Sequence, residues 1–468
     1  MNTDPESENE FERNTESLER FENMLANDDQ YYFDVDDLEE LVEHYMVVFD
    51  LDKAWKVLEL ASQQHPHNKD FELKRADILA LKGDDENALK SIALLESIDP
   101  TNVEMLIMKG SIHSKLGKHE EAIQIYQSAL EFVEDTSELY LLISYEYDTI
   151  GNRPEALSQL KTALRENPEQ QGLIFEISFL FDLMDEPELA IEYLNKHLDE
   201  YPYSSGGWFN LATFYRKIDD HPRAIWALEL CVAIDDEDGM VLQELGDCYL
   251  EAENWDRAQV QFEALLELDD DHPDAIVGLA ECAEGRKEFD QAFDLYKKAT
   301  ELDAECAEAW YGMAVVREKQ ERYHECLPYV NRALEIDPMD AEFWFFLGDL
   351  QEQFCEFEKA AEAFEKALET APDEPRFWLA KAQLYFHHLD RETGIESLME
   401  AIKITPDDAE LHYRIAAFLM IAGQGGDAMH YLQNGLEIDF EKHILLFDEY
   451  PEAIHNPRVM DLIGIYGQ

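Results

Sequence analysis

The stretch GMVLQELGDCYLEAENWDRAQVQFEALLELDDDH, residues 239–272, decides the fold. Apolar residues recur in it at i, i+3, i+4 and i+7, first through Leu242, Leu245 and Tyr249, then through Ala258, Phe262 and Leu265. That spacing predicts two amphipathic helices, and the acidic turn that follows predicts a break. Its small residue Ala258 belongs to a series with a fixed step of 34 residues: Ala54, Ala88, Ala122, Ala156, Ala190, Ala224, Ala258, Ala292, Cys326, Ala360, Gly394 and Ala428. With this residue at repeat position 20, repeats start at 35, 69, 103, 137, 171, 205, 239, 273, 307, 341, 375 and 409, without insertion or deletion.

Other positions fall into the same register. Position 8 is small in Ala76, Gly110, Gly246, Ala280 and Gly348, while position 24 is apolar throughout, including Tyr126, Phe262, Tyr296 and Phe364. Position 32 holds Pro66, Pro100, Pro168, Pro202, Pro338, Pro372 and Pro406, which block helix continuation. Small residues at 8 and 20 let helix A and helix B of one unit approach, and large ones at 24 fill the space beside them. One hairpin cannot bury both faces, so neighbours must stack.

The pattern resembles the tetratricopeptide repeat family, through Leu245, Gly246, Tyr249, Ala258 and Phe262 and through Trp208, Trp310, Trp344 and Trp378 at position 4. It is also similar to the multi-repeat, insertion-free acidic members of that family in bacteria. The resemblance implies an all-α chain: a right-handed α-solenoid, or superhelix, of twelve 34-residue helix-turn-helix units over residues 35–442. Residues 1–9 read as a disordered acidic tail and 10–34 as a capping helix with Phe11, Leu18, Phe21, Met24 and Leu25 on one face. Asp34 or Asp36 is the expected cap of the next helix, and 443–468 the C-terminal cover. The four tryptophans are expected to be buried, and Pro328 to kink or shorten its helix. Arg317 departs from the family's aromatic at position 11.

Function is bounded by charge. Against 37 Lys and Arg stand 105 Asp and Glu, a formal −68, which repels nucleic acid and anionic lipid and attracts basic proteins. The N-terminus carries no basic segment before an apolar run, and no apolar stretch is long enough to span a bilayer. Six cysteines without CxxC spacing complete the picture of a soluble cytoplasmic protein with reduced thiols.

No constellation of nucleophile, base and orienting group is visible, and no catalysis, metal or cofactor is expected. LDDDHPD, residues 268–274, lacks the placed Gly and Glu of an EF-hand loop; the neighbours His387 and His388 face apart on a helix. GQGGD, 423–427, occupies an A–B turn, and Cys231 and Cys326 stand where small core residues belong. The carboxylate clamp of chaperone-binding members is approached only by Asn210, Arg216 and Lys217.

The family resemblance implies that helix A positions 2, 5, 9, 12 and 13 line a groove. Repeats four to six place Leu141, Tyr145, Phe175, Phe179 and Phe209 there; repeats seven to ten place Asp247, Glu251, Glu281, Glu284, Glu318, Asp349 and Glu352. Exposed aromatics on such a wall are expected anchors for a protein or peptide, and the acids expected contacts for a basic one. The competing readings make the rings extra core and the acids a solvated or proteome-wide feature. Rival functions are an acidic chaperone or inhibitor of a basic protein and a non-catalytic subunit of an enzyme complex.

Overall fold

A computed structural model describes residues 5–27, 30–66, 68–168 and 170–467. Among these residues every regular element is a helix. Helix A of successive repeats begins at 35, 69, 103, 137, 171, 205, 239, 273, 307, 341, 375 and 409, and each is followed by an antiparallel helix B. The chain divides into two compact units, Met1–Ala227 and Leu228–Gln468. Within each, consecutive helix pairs pack as repeats and share buried clusters that run from one repeat into the next. Leu73, Ile92, Met105, Tyr126 and Ile143 join three repeats of the first unit; Leu368, Phe386, Leu398 and Phe418 join three of the second.

The contact between position 24 and its two neighbouring A helices explains the small residues. A Cβ on Gly246 would stand 2.7 Å from the Phe262 ring, and one on Gly348 2.5 Å from that of Phe364. The same ring of Phe262 fills the space over Gly278 in the following repeat, and Tyr296 that over Gly312. A ring at position 24 therefore takes its room from glycine in its own helix A, in the next one, or in both.

Two local devices recur with the 34-residue period. The A–B turn places one residue in the left-handed region in every repeat but the eleventh, at Phe49, Gly83, Gly117, Gly151, Asp185, Asp219, Glu253, Lys287, Glu321, Cys355 and Gly423. The following amide reaches back across the helix end, as Glu288 N–H does to the Ala283 carbonyl at 2.8 Å. In repeat eleven helix A (Pro375–His388) runs one residue further, and a Cβ on Gly394 would stand 2.8 Å from the Ala382 carbonyl. The second device corrects an expectation. Trp208, Trp310 and Trp344 are only partly buried, Trp378 alone being fully so. All four indole N–H groups make one kind of bond: each donates to the carbonyl six residues earlier, of Pro202 (2.9 Å), Ala304 (3.1 Å), Pro338 (2.9 Å) and Pro372 (2.7 Å). Position 4 thus ties the inter-repeat turn to the helix it enters, whether the ring is partly buried or, as in Trp378, buried.

Two further departures resolve physically. Helix B of repeat nine (Tyr323–Ile336) keeps the fourteen residues of its neighbours through Pro328, so no shortening occurs; Pro328 faces solvent, where the carbonyl left without a donor can be hydrated. Arg317 lays its guanidinium 3.6 Å from the Phe293 ring centre, serving as the flat partner an aromatic would be.

At the start, helix Pro5–Asn27 takes in residues 5–9 of the expected tail, while 1–4 lie outside the described residues, as does the side chain of Phe11. Phe21 is buried 6.3 Å from Phe33 and 5.8 Å from Tyr45, with Leu18 and Met24 packed alongside; Leu25 is exposed. Asp34 caps the next helix by backbone geometry, without a side-chain hydrogen bond. At the other end Leu446, Ala453, Val459 and Ile463 pack on Tyr413, Ala417, Leu432 and Leu436 of repeat twelve, while Met460 and Ile465 stay exposed.

These contacts predict opposite effects of two glycine exchanges. Gly278→Ala drives a methyl into the Phe262 ring and should lower stability by about 1–3 kcal/mol. Lys287→Gly releases a left-handed non-glycine residue and should raise it by about 0.5–1 kcal/mol after the flexibility of glycine is subtracted. Urea unfolding of the two full-length variants measures both; a neutral Gly278→Ala would refute the packing account.

Candidate functional site

In the first unit the face in question is built by helices A of repeats four (Ser137–Thr149), five (Gln171–Leu183) and six (Ser205–Lys217). Positions 5 and 9 stand one turn apart and so share that face. Tyr145, Phe175 and Phe179 are 45, 44 and 56% exposed, whereas Leu141 and Phe209 are half-buried. The Phe175 ring lies 6.4 Å from that of Phe209, and a Cβ on Gly206 would stand 3.2 Å from it. The Tyr145 hydroxyl donates to Glu176 at 3.1 Å. Phe175 and Phe209 therefore lean between neighbouring helices in part, and Phe179 projects furthest into solvent.

The clamp residues nearby are otherwise engaged. Asn210 is buried and its amide donates to the Gly206 carbonyl at 2.7 Å; Lys217 pairs with Asp182 at 2.8 Å and Asp185 at 3.0 Å.

In the second unit helices A of repeats seven (Gly239–Glu251), eight (Pro273–Gly285), nine (Ala307–Lys319) and ten (Ala341–Gln353) carry the acidic set. A cleft of about 460 Å³ brings Glu281 and Glu284 together with Glu308, Tyr296, Tyr311 and Trp255. The Tyr296 hydroxyl donates to Glu284 at 3.2 Å. Glu281 reaches solvent, yet the protein around it and then the charges of Asp247, Glu284 and Glu308 push its carboxyl up to about 7. Burial, then Glu352 and Glu318, pushes Asp349 up to about 7 as well. Burial also raises Glu284 and lifts the Tyr311 hydroxyl to about 12. The sparse cations stay peripheral, with Lys319 at 3.8 Å from Glu318 and His388 at 3.9 Å from Glu352.

Sequence reasoning missed Glu308, Tyr311, Trp255 and the hydroxyl of Tyr296 in this cleft. Glu308 and Tyr311 occupy positions 2 and 5 and were within reach of the register; Trp255 and Tyr296 come from helices B, which the groove pattern leaves out.

Other motifs settle into structure. His387 pairs with Glu449 at 3.0 Å, and His388 stacks on Phe357 at 4.3 Å. Gly423 takes its A–B turn at a φ of 79°. Cys231, Cys248, Cys282, Cys306 and Cys326 are buried, Cys355 exposed, and burial lifts the Cys326 thiol to about 11. Among the described residues no three His, Cys, Asp or Glu side chains converge to hold a metal ion, and no helix is long and apolar enough to cross a membrane.

Hairpins that follow one another at a fixed 34-residue step define a helical repeat protein that presents side chains along a wall of A helices. Models of the tetratricopeptide repeat match residues 103–132, 249–315 and 318–384, and support a multi-repeat tetratricopeptide protein. Solved structures similar to it include a tetratricopeptide repeat protein from Parabacteroides merdae, 17% identical over 54% of this chain and 99% of that one, with a TM-score of 0.47. A chain of the APC/C hetero-tetramer Cut9–Hcn1 is 16% identical over 93% and 97%, at 0.38. Yeast Tom70 is 13% identical over 91% and 98%, at 0.48. No curated protein matches the chain.

The raised carboxyls set a pH dependence. A carboxyl whose pKa is higher folded than unfolded stabilises the fold while protonated; that stability is lost as pH rises from the ordinary range near 4 through about 7. Glu281→Gln and Asp349→Asn should therefore raise the melting temperature at pH 8 and leave it nearly unchanged at pH 4. Melting curves at the two pH values check this, and equal gains at both would contradict the crowding described.

Proposed function

We propose that this protein is a non-catalytic, cytoplasmic scaffold that binds a protein or peptide through its A-helix faces. The observation that carries the reading is the exposure of Phe175 and Phe179 one turn apart on helix A of repeat five. Each ring in water forgoes about 2 kcal/mol of burial, which a partner's apolar side chain would recover. Tyr145, Leu141 and Phe209 extend the apolar face on either side. In the second unit Asp247, Glu251, Glu281, Glu284, Glu318, Asp349 and Glu352 form a separate surface suited to a basic segment of a partner. The first helix and residues 443–468 act as covers for the end repeats, because each lays apolar side chains on a face that no further repeat occupies.

A second reading, an acidic chaperone or inhibitor of a basic protein, draws on the like-charge crowding around Glu281 and Asp349. A cation arriving there relieves repulsion already present in the free protein. Salt separates the two readings, since charge attraction at a surface fades within a Debye length of roughly 8–10 Å at ordinary ionic strength.

Affinity purification with mass spectrometry identifies the partner, and two variant sets then test the surfaces. Phe175→Ala with Phe179→Ala should weaken capture about tenfold or more while helix content and melting temperature hold; a core role would instead cost about 3–5 kcal/mol of stability. Asp247→Lys, Glu281→Lys and Asp349→Lys together should weaken capture chiefly at low salt. Unchanged capture by both sets would overturn the proposal.

A further inference from the structure

Helices B of repeats four (Arg153–Glu166) and five (Pro187–Glu200) enclose a cleft of about 340 Å³, far from the acidic set in sequence and opposite to it in sign. Lys161 and Arg165 enter it from the first helix, Lys196 and His197 from the second, with Tyr193 and Tyr201 as its rings. Glu200 is the one carboxylate in its lining. This clustering runs against the composition. Several bases elsewhere sit against carboxylates, as Lys53, Lys82, Lys109, Lys217 and Arg414 do at 2.6–2.9 Å. Among the described residues Lys161, Arg165 and Lys196 have no ion pair. Lys161 instead rests its ammonium 4.5 Å from the ring centre of Phe181 and 4.6 Å from that of Tyr193.

His197 is the second independent sign. It stands at position 27, where other repeats have Ala, Cys, Gly or Leu, and it is 91% buried at the wall of the cleft. Its ring stacks 5.0 Å from Tyr201. Burial pulls both the Lys161 ammonium and the His197 imidazole below their ordinary values, against a smaller opposing pull from Glu186 on the first and Glu200 on the second. The ring thus brings a titratable polar group to the cleft wall at a position that is apolar in the other repeats.

We propose that this cleft binds a phosphate monoester, with the phosphate held by Lys161, Arg165, Lys196 and His197 and its organic group against Tyr193 and Tyr201. The charge selects the class. Three cations and the carboxylate of Glu200 leave two positive charges over, which a phosphate monoester dianion neutralises and a carboxylate does not. The tyrosines add an apolar side that inorganic phosphate leaves bare. The same chemistry is offered by a phosphorylated side chain of a protein and by a free aryl phosphate. This site is separate from the A-helix surfaces and does not depend on their role.

Nuclear magnetic resonance of the full chain with labelled histidine tests it, with phenyl phosphate, a phosphotyrosine peptide and its unphosphorylated twin as probes. The His197 ring signals should shift and saturate with phenyl phosphate and with the phosphopeptide, and stay put with the twin. A phosphopeptide that binds tighter than phenyl phosphate assigns the site to a modified protein; equal affinity assigns it to a free phosphate. Arg165→Gln with Lys196→Gln, both exposed, should weaken binding about tenfold or more at unchanged helix content. Lys403→Gln removes a charge elsewhere and should have no effect. No saturation by either phosphate, or equal binding by the double variant, would overturn the site.

Discussion

Everything regular in this chain depends on how closely helix A and helix B of a repeat, and helix A of the next, can approach one side chain at position 24. Leu, Ile or Val there leaves room for Ala or Ser at position 8, as in Ala76 with Ile92 or Ser144 with Leu160. A ring needs more. Tyr126, Phe262 and Phe364 each face glycine at position 8, while Tyr296 keeps Ala280 there and gains its space from Gly312. The constraint is steric and local, and it repeats. Because each repeat settles the same volume with its neighbours, the chain tolerates no insertion across twelve units, and the remaining positions are free to vary.

That freedom is where the surfaces arise. Helices A of repeats four to six spend their outward positions on rings, and those of repeats seven to ten on carboxylates. Burial first, and the crowding of carboxylates after it, lets Glu281 and Asp349 hold protons to about 7. The helices B of repeats four and five do the reverse, collecting three bases and a buried histidine in a chain that is otherwise strongly acidic. Surface charge in a repeat array is thus set unit by unit, and a net charge of −68 describes no single face of it.

The 34-residue period made the hairpins legible because one small residue in each helix B marks a close approach that nothing larger allows. The positions of the candidate site residues along helix A followed from the same register. What lay hidden depends on contacts between positions. The tryptophans at position 4 look like core residues by type, yet three of the four are only partly buried, and all four spend their N–H groups on a turn carbonyl. Asp219, Lys287 and Glu321 hold the left-handed turn that Gly83 and Gly117 advertise, and nothing in their identity announces it. The basic cleft was missed because its residues come from adjacent helices B, at positions 25 and 29 of one repeat and 26 and 27 of the next.

The central claim is that the ring at position 24 and the glycine at position 8 are one interaction. A double-mutant cycle on Gly246→Ala and Phe262→Leu by urea unfolding measures it directly. Gly246→Ala alone should cost about 1–3 kcal/mol and should lose most of that cost once Phe262 is leucine, a coupling of about 1 kcal/mol or more. Costs that simply add, to within about 0.5 kcal/mol, would show that the two residues act independently and that the packing described is not what sets the repeat.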